Sequence, residues 1–353
     1  MQGAWVRSIR FRRPLLIVLG IVVVISISVG VSVGAVDVPL RTAARIIGGA
    51  LWPTKGSVSE GSFSTILLSF RLPRVIAAAA VGTVLAVCGT VMQGVFRNPL
   101  ADPYLLGIAG GATAGVALAI FVGWSHVSLM LPVSAFIGGM LSVAVVYGIS
   151  VAGPTRAMDN LVLILAGVAL SALFGAVTSM LLYLSGERER SGIVFWVMGG
   201  LSNADWSAVR LLVPVALLGV VLFRLFARDL NVLSLGDEQA LHLGIMPANC
   251  KRLLLAVCTL MTAVAVSQSG TIGFVGLVVP HAARLVIGPD HRWLILASAL
   301  AGASFLVFSD TVARVLIEPA ELPVGIVTAI IGGPFFLFLL RKRLATSRRR
   351  VGR

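Results

Sequence analysis

An all-α polytopic membrane protein is the fold class this sequence predicts, and three observations predict it. Hydrophobic residues make up 58% of the 353 residues and charged residues only 12%, about half of what a water-facing surface carries. Mean hydropathy is +1.01. The charges gather in short patches between apolar runs, most of them about 20 residues long, the length that crosses a bilayer as a helix.

Ten runs are expected to span: 14–36, 73–95, 103–122, 131–151, 160–183, 206–226, 249–269, 274–288, 294–310 and 323–340. The first follows Arg7, Arg10, Arg12, Arg13 and Pro14. It outruns the apolar core of a secretory signal and no small-x-small site closes it, so it reads as a retained span. The eighth is short and rich in Gly and Pro; merging or dropping it would leave nine. Charge separates the two counts. With ten spans and a cytoplasmic N-terminus, the outer side receives only Arg41, Arg45, Lys55, Arg71, Arg74, Arg188, Arg190, Arg210 and Arg314 of the 28 basic residues. The remainder, including the cluster from Arg341 to Arg353, fall inside, as an anionic inner leaflet favours. Nine spans would send that cluster outward. The net charge of +14 is read in the same way, as cations flanking spans and not as a nucleic-acid surface.

The connecting segments are unequal. Outer segment 37–72 contains Trp52, Pro53 and Gly56 and is expected to hold a short interfacial helix around 59–70. Outer segment 184–205 begins with Glu187, Arg188, Glu189 and Arg190; the apolar stretch Ile193–Gly200 is too short to span and fits a re-entrant or interfacial helix. Inner segment 227–248 places Leu233 and Leu235 before Gly236, then Asp237 and Glu238 before Ala240, Leu241 and Leu243. Acidic residues suit a helix first turn. Two short amphipathic helices about a glycine hinge are predicted, with leucines that suit a docking surface.

Within the spans, Gly107, Gly111 and Gly115 recur every four residues, the small-residue pattern of close helix contact. Asp310 and Arg314 stand four apart and predict a local ion pair. No Asp or Glu falls in mid-span, which disfavours an ion-coupled carrier. Cys88, Cys250 and Cys258 show no ligand spacing and read as packing residues. The four histidines are dispersed. His281 is a candidate for hydrogen bonding to a neighbouring helix end or for ligation, and no metal site is predicted. The sequence has no G-x-x-x-x-G-K-[S/T] run, so it cannot hold ATP by a P-loop.

Four segments carry a family resemblance: Arg71-Leu72-Pro73-Arg74 leading into Val81-Gly82; Gln93 through Pro103 followed by Leu106-Gly107; Gly270 through His281 with Arg284; and Glu321 through Phe335. Together they resemble the FecCD family of permeases, the transmembrane subunits of binding-protein-dependent ABC importers for iron-siderophores, haem and vitamin B12. The resemblance implies a type II ABC importer permease of ten spans per subunit in a bacterial inner membrane, with both termini cytoplasmic. It implies a homodimer, two ATPase subunits that bind ATP and Mg below it, and a periplasmic binding protein above it. No cofactor bound by this chain is expected, nor any catalytic residue.

By matching positions, Arg71, Arg74 and Arg314 resemble the outer arginines that meet acidic lobes of the binding protein. Residues 228–246 resemble the coupling helices, with Leu235, Gly236, Leu241, Leu243 and Gly244 filling a cleft on the ATPase and Asp237 and Glu238 adding polar contacts. The turn of Gln93, Arg97, Asn98, Pro99, Asp102 and Pro103 is expected to brace the inner face, with Arg97 and Asp102 as a candidate pair. Ser171, Thr178, Ser179 and Met180, with Trp196, Gly199 and Gly200, are expected to line and gate the path. Such a mild surface suits a large, partly apolar cargo. Haem, with its broad apolar ring face, is the first expectation; ferric siderophore and cobalamin are the alternatives. A secondary transporter or a non-transporting scaffold would be the readings outside this class.

Overall fold

The computed structural model describes residues 2–34, 37–51, 62–127, 129–152, 160–317 and 319–351. Helices dominate throughout. In chain order they are α1 Gln2–Ser32, α2 Leu40–Leu51, α3 Ser62–Thr65, α4 Leu72–Val95, α5 Ile108–Phe121, α6 Met130–Val151, α7 Asn160–Leu184, α8 Glu187–Met198, α9 Trp206–Leu225, α10 Ala227–Leu233, α11 Asp237–His242, α12 Pro247–Ser269, α13 Val275–Ile287, α14 His291–Val315 and α15 Val324–Val351. A π-turn, Ile66–Arg71, joins α3 to α4.

The centre is α4. It packs on α14, α9, α13 and α12, and apolar residues on every side of it are buried, among them Val75, Val81, Leu85 and Met92. A helix apolar all round belongs inside a bundle. Its small residues let the neighbours come close: a β-carbon at Gly82 would overlap the Gly302 carbonyl oxygen of α14, and one at Gly89 the Gly276 carbonyl oxygen of α13. Without a hydrophobic drive between helices in lipid, such backbone approach is a main source of cohesion. A second group, α5 to α8, gathers around α5. Gly111 and Gly115 meet α6 at Gly138 and Ser134 as their spacing predicts, whereas Gly107 caps the start of α5 at φ 77°. On α1 and α7 large apolar side chains such as Ile17, Ile25, Leu165 and Leu173 stay exposed.

The span count departs from the expected ten. Among the described residues seven helices are long and apolar enough to cross a membrane: Arg12–Ser32, Phe63–Val95, Met130–Val151, Leu161–Leu184, Trp206–Leu225, Pro247–Ser269 and His291–Val315. The runs at 103–122, 274–288 and 323–340 instead form the shorter apolar helices Ile108–Phe121, Val275–Ile287 and Val324–Phe338. Backbone breaks cause the shortening. Pro103–Leu106 turns as a 3-10 helix capped by Asp102, so α5 starts only after Gly107. Phe274 at φ 68° and Gly288 at φ 92° bound α13. Its 13 residues extend about 20 Å, against about 30 Å of hydrocarbon. The third run is the exception: α15 itself continues to Val351, and Val324–Phe338 is its apolar part.

The 37–72 segment also differs. Its amphipathic helix is α2, with Ala43 and Ile46 buried and Arg41 and Arg45 exposed. Residues 62–71 instead lead directly into α4. Trp52, Pro53 and Gly56 lie outside the described residues.

Candidate functional site

Polar side chains collect at the two ends of α4. At the first end, Arg71 closes the π-turn and Arg74 follows in the first turn of α4. Arg71 Nη1 donates to the carbonyls of Val31 (3.3 Å) and Ser32 (3.1 Å). Arg314 Nη2 donates to Gly30 (2.7 Å) and its Nη1 to Val33 (3.1 Å). Two guanidiniums thus satisfy carbonyls at the C-terminal end of α1, where a helix leaves acceptors free and carries partial negative charge. Asp310, fully buried, lies between Arg74 Nε at 3.0 Å and Arg314 Nε at 3.2 Å. The second contact is the predicted i,i+4 ion pair, though its angle is not that of a hydrogen bond. Arg74 Nη1 also donates to Glu321 at 2.7 Å. All three arginines expected to face a docking protein therefore have partners within the chain, and Arg71 and Arg314 are buried.

Beside Arg74 a cavity of about 940 Å³ opens, lined by Arg188, Trp196, Asp205, Gln268 and Glu321 among others. Asp205 caps α9, its carboxylate accepting from Ala208 N at 2.9 Å, and that bond holds its carboxyl below the usual range. The wall that carries Trp196 is pinned. Gly200 N donates to Ser269 O at 2.9 Å, Gly325 N to Gly199 O at 3.3 Å and Thr271 Oγ1 to Val197 O. Gly199 is required there: it has φ 69° and a β-carbon would overlap the Thr271 carbonyl oxygen. Of the residues expected along a path, Trp196 and Gly200 line this cavity, whereas Ser171, Thr178, Ser179 and Met180 on α7 do not. The α7 hydroxyls donate back to their own helix, at Gly167, Phe174 and Gly175. Thr178 is buried; Ser179 and Met180 are exposed.

At the other end, α4 stops in the turn Phe96–Pro103. Arg97 takes φ 50°. Asn98 Oδ1 accepts from Leu100 N at 3.1 Å, an Asx turn that sets up Pro99 and the chain reversal. Gln93, buried, donates to Leu277 O at 3.1 Å. Asp102 accepts from Tyr104 N at 2.8 Å; burial pushes its carboxyl up to about 6, against the lowering effect of that bond. The candidate Arg97–Asp102 pair is absent. Arg97 turns instead to Asp237, 3.3 Å away.

Asp237 opens α11 and also receives Lys251 Nζ of α12 at 2.6 Å. It therefore points into the bundle, while Glu238 is exposed. Gly236 at φ 130° makes the hinge between α10 and α11, and Gly244 at φ 80° follows α11. Leu235, Leu241 and Leu243 are 62%, 60% and 57% exposed on this protruding pair. Sequence reasoning missed a further cluster. Asn231 of α10 donates to Asp290 at 2.8 Å, and Asp290 pairs with Arg12 of α1 at 3.3 Å. Burial raises the Asp290 carboxyl, but the bonds from Asn231 and Arg292 N and the charges of Arg12 and Arg292 outweigh it and hold it below its ordinary value. Asp before an apolar run was a legible helix cap; its partner 59 residues earlier was not. Among the described residues no group of His, Cys, Asp and Glu could hold a metal ion.

A polytopic helical bundle with a mouth at one end and a leucine-tipped helix pair at the other has the form of a membrane permease that works with other proteins. The FecCD transport family matches residues 19–342, and the chain belongs to that family. It is 48% identical over 278 residues to the cobalamin import system permease protein of Halobacterium salinarum, covering 79% of this chain and 74% of that one. It is 43% identical over 321 residues to the hemin transport system permease protein of Yersinia pestis, covering 88% and 90%. A solved structure described as an inward-facing conformation of a metal-chelate type ABC transporter superposes with a TM-score of 0.81 at 32% identity, over 94% of this chain and 99% of that one. The chain is thus the non-catalytic permease subunit of an ABC importer.

Proposed function

We propose that this chain forms the membrane path of an ATP-driven importer that moves a metal chelate from periplasm to cytoplasm by alternating access. The observation that carries the reading is the pair α10–α11, whose Leu235, Leu241 and Leu243 project from the bundle at the end opposite the cavity. Exposed leucines on a short polar segment suit burial in a cleft of a soluble ATPase. Residues 228–246 are then the coupling helices, with Gly236 and Gly244 as hinges and Glu238 as a polar contact; the Gln93–Pro103 turn braces them. ATP and Mg are held by the two ATPase subunits. The whole chain, 1–353, acts as one transmembrane domain and pairs with a second copy, to which the exposed apolar faces of α7 and α15 are suited.

The cavity end, with segments 37–72 and 184–205, faces the periplasm. There Arg74 meets acidic groups of the binding protein, backed by Arg71 and Arg314, since charge complementarity steers docking. Trp196, Gly199 and Gly200 gate entry, and Ser171, Thr178, Ser179 and Met180 line the path beyond. Both termini are cytoplasmic on this reading: Arg12 near the start of α1 lies with Asp290 at the coupling end, and α15 runs toward that end from its contact with Gly199.

The expected lean to haem gains no support. Permeases named for cobalamin, iron(3+)-hydroxamate and Fe(3+) dicitrate stand beside the hemin permease at 48%, 39%, 39% and 43% identity. A ferric siderophore or cobalamin is the better-supported cargo. The test is ATP hydrolysis by the complete transporter in liposomes, with cobalamin, a ferric siderophore and haem added side by side through matching binding proteins. Stimulation by cobalamin or siderophore is expected. Haem alone as stimulant would overturn the cargo, and failure of all three would overturn the importer.

A further inference from the structure

The protruding helices α10 and α11 are fixed to the bundle at two polar points. The first is Asn231. Its Oδ1 accepts from the backbone N of His291 at 2.9 Å and lies 2.8 Å from His291 Nδ1. A backbone N–H can only donate, so the atom facing it is the amide oxygen, which fixes the amide's orientation and places the ring proton on Nδ1. The amide nitrogen then donates to Asp290, which binds Arg12. One side chain on α10 thereby holds the start of α14 and, through Asp290, reaches Arg12 of α1. The second point is Asp237, which joins α11 to Lys251 on α12 and to Arg97 beyond the end of α4. Lys251 is buried and Asp237 is its ionic partner.

We propose that Asn231 and Asp237 are positioning residues that carry movement of the coupling helices into the membrane bundle. The inference rests on the transporter reading above and deepens it. Leu230, Leu233 and Ala240 also bury their side chains under the pair. Apolar contact is non-directional and lets one surface slide on another, whereas hydrogen bonds and ion pairs fix partners and angles. A push on Leu235, Leu241 or Leu243 therefore reaches the starts of α12 and α14 together and, through Asp290, Arg12 of α1. Asp237 holds Lys251 and Arg97 from a side chain that is itself 44% exposed.

The experiment uses the complete transporter in liposomes and reads cargo imported per ATP hydrolysed. Asn231→Ala and Asp237→Asn should each lower that ratio about tenfold, the size of a typical coupling between sites. Two variants separate positioning from stability. Asn231→Ala leaves Asp290 accepting from Arg292 N and paired with Arg12, so the complex should stay folded and hydrolyse ATP while the ratio stays low. Asp237→Asn with Lys251→Met removes the uncompensated buried charge, so thermal stability should recover while the ratio stays low. A wild-type ratio in either single variant would overturn the inference. So would recovery of ratio and stability together in the Lys251→Met double variant. A wild-type complex that imports nothing would strike down the transporter reading, and this inference with it.

Discussion

The two ends of α4 both collect arginines, yet they use them differently. At the Arg71 end the guanidiniums are drawn inward: Arg71 and Arg314 cap carbonyls of α1, and Arg74 and Arg314 flank the fully buried Asp310. At the Arg97 end the central pair stays open, with the Arg97 and Asp237 side chains 41% and 44% exposed. The difference separates a fastened end from a jointed one. Buried charges are costly to uncouple, so the Arg71 end should resist rearrangement. Half-exposed charges exchange partners with water cheaply, so the Arg97 end can flex against a moving partner.

The largest effect should come from Asp310→Ala. It leaves Arg74 and Arg314 facing each other without their shared carboxylate, which should cost about 3–5 kcal/mol. Thermal unfolding in detergent, followed by tryptophan fluorescence, measures it. A transition within a degree or two of wild type would show that this end is not fastened by charge. Arg71→Ala should come next, at about 1.5–3 kcal/mol, because it strips a charged donor from two carbonyls of α1. Proteolysis of α1 in the folded protein should rise with it; unchanged cleavage would detach Arg71 from any role in holding that helix.

How much of this was legible depends on the range of the interaction. Seven long spans are local hydropathy, and each expected position coincides with a helix. The Asp310–Arg314 pair is one helical turn and was equally readable. The starts of α5 and α13 were not, because they are set by single backbone residues, Gly107 and Phe274, at positive φ. Apolar composition alone does not reveal those breaks. The helix pair α10–α11 was legible through its leucines and Gly236. The inward turn of Asp237 was not, since it depends on Lys251 of another helix and on Arg97, 140 residues earlier. Arg74–Asp310, 236 residues apart, escaped for the same reason.

A smaller effect should appear as pH dependence at the jointed end. Burial raises the Asp102 carboxyl to about 6, so the folded protein holds this proton more tightly than the unfolded chain. Stability from this group is therefore fully present below about pH 4 and is lost as pH rises through about 6, amounting to about 1–2 kcal/mol for a half-buried carboxyl. Asp102→Asn keeps the oxygen that accepts from Tyr104 N and removes the titration. Its unfolding temperature should lack the wild-type decline between about pH 4 and about pH 6. An identical decline in both proteins would assign it to other groups.

The smallest stability effect should be that of Arg97→Ala, and it tests the comparison most directly. The Arg97–Asp237 contact is 3.3 Å long and lacks hydrogen-bond geometry, and although Asp237 Oδ1 itself is covered, the two side chains are 41% and 44% exposed. Such a pair contributes about 0–1 kcal/mol. Lys251 remains 2.6 Å from Asp237 after the change, so no buried charge is left alone. Unfolding should thus shift far less than for Asp310→Ala, although both changes remove one member of a charge cluster. A loss of about 3 kcal/mol or more would place Arg97 in the class of the buried network. The two ends would then be fastened alike, and flexing at the Arg97 end would have to come from the glycine turn at Gly236.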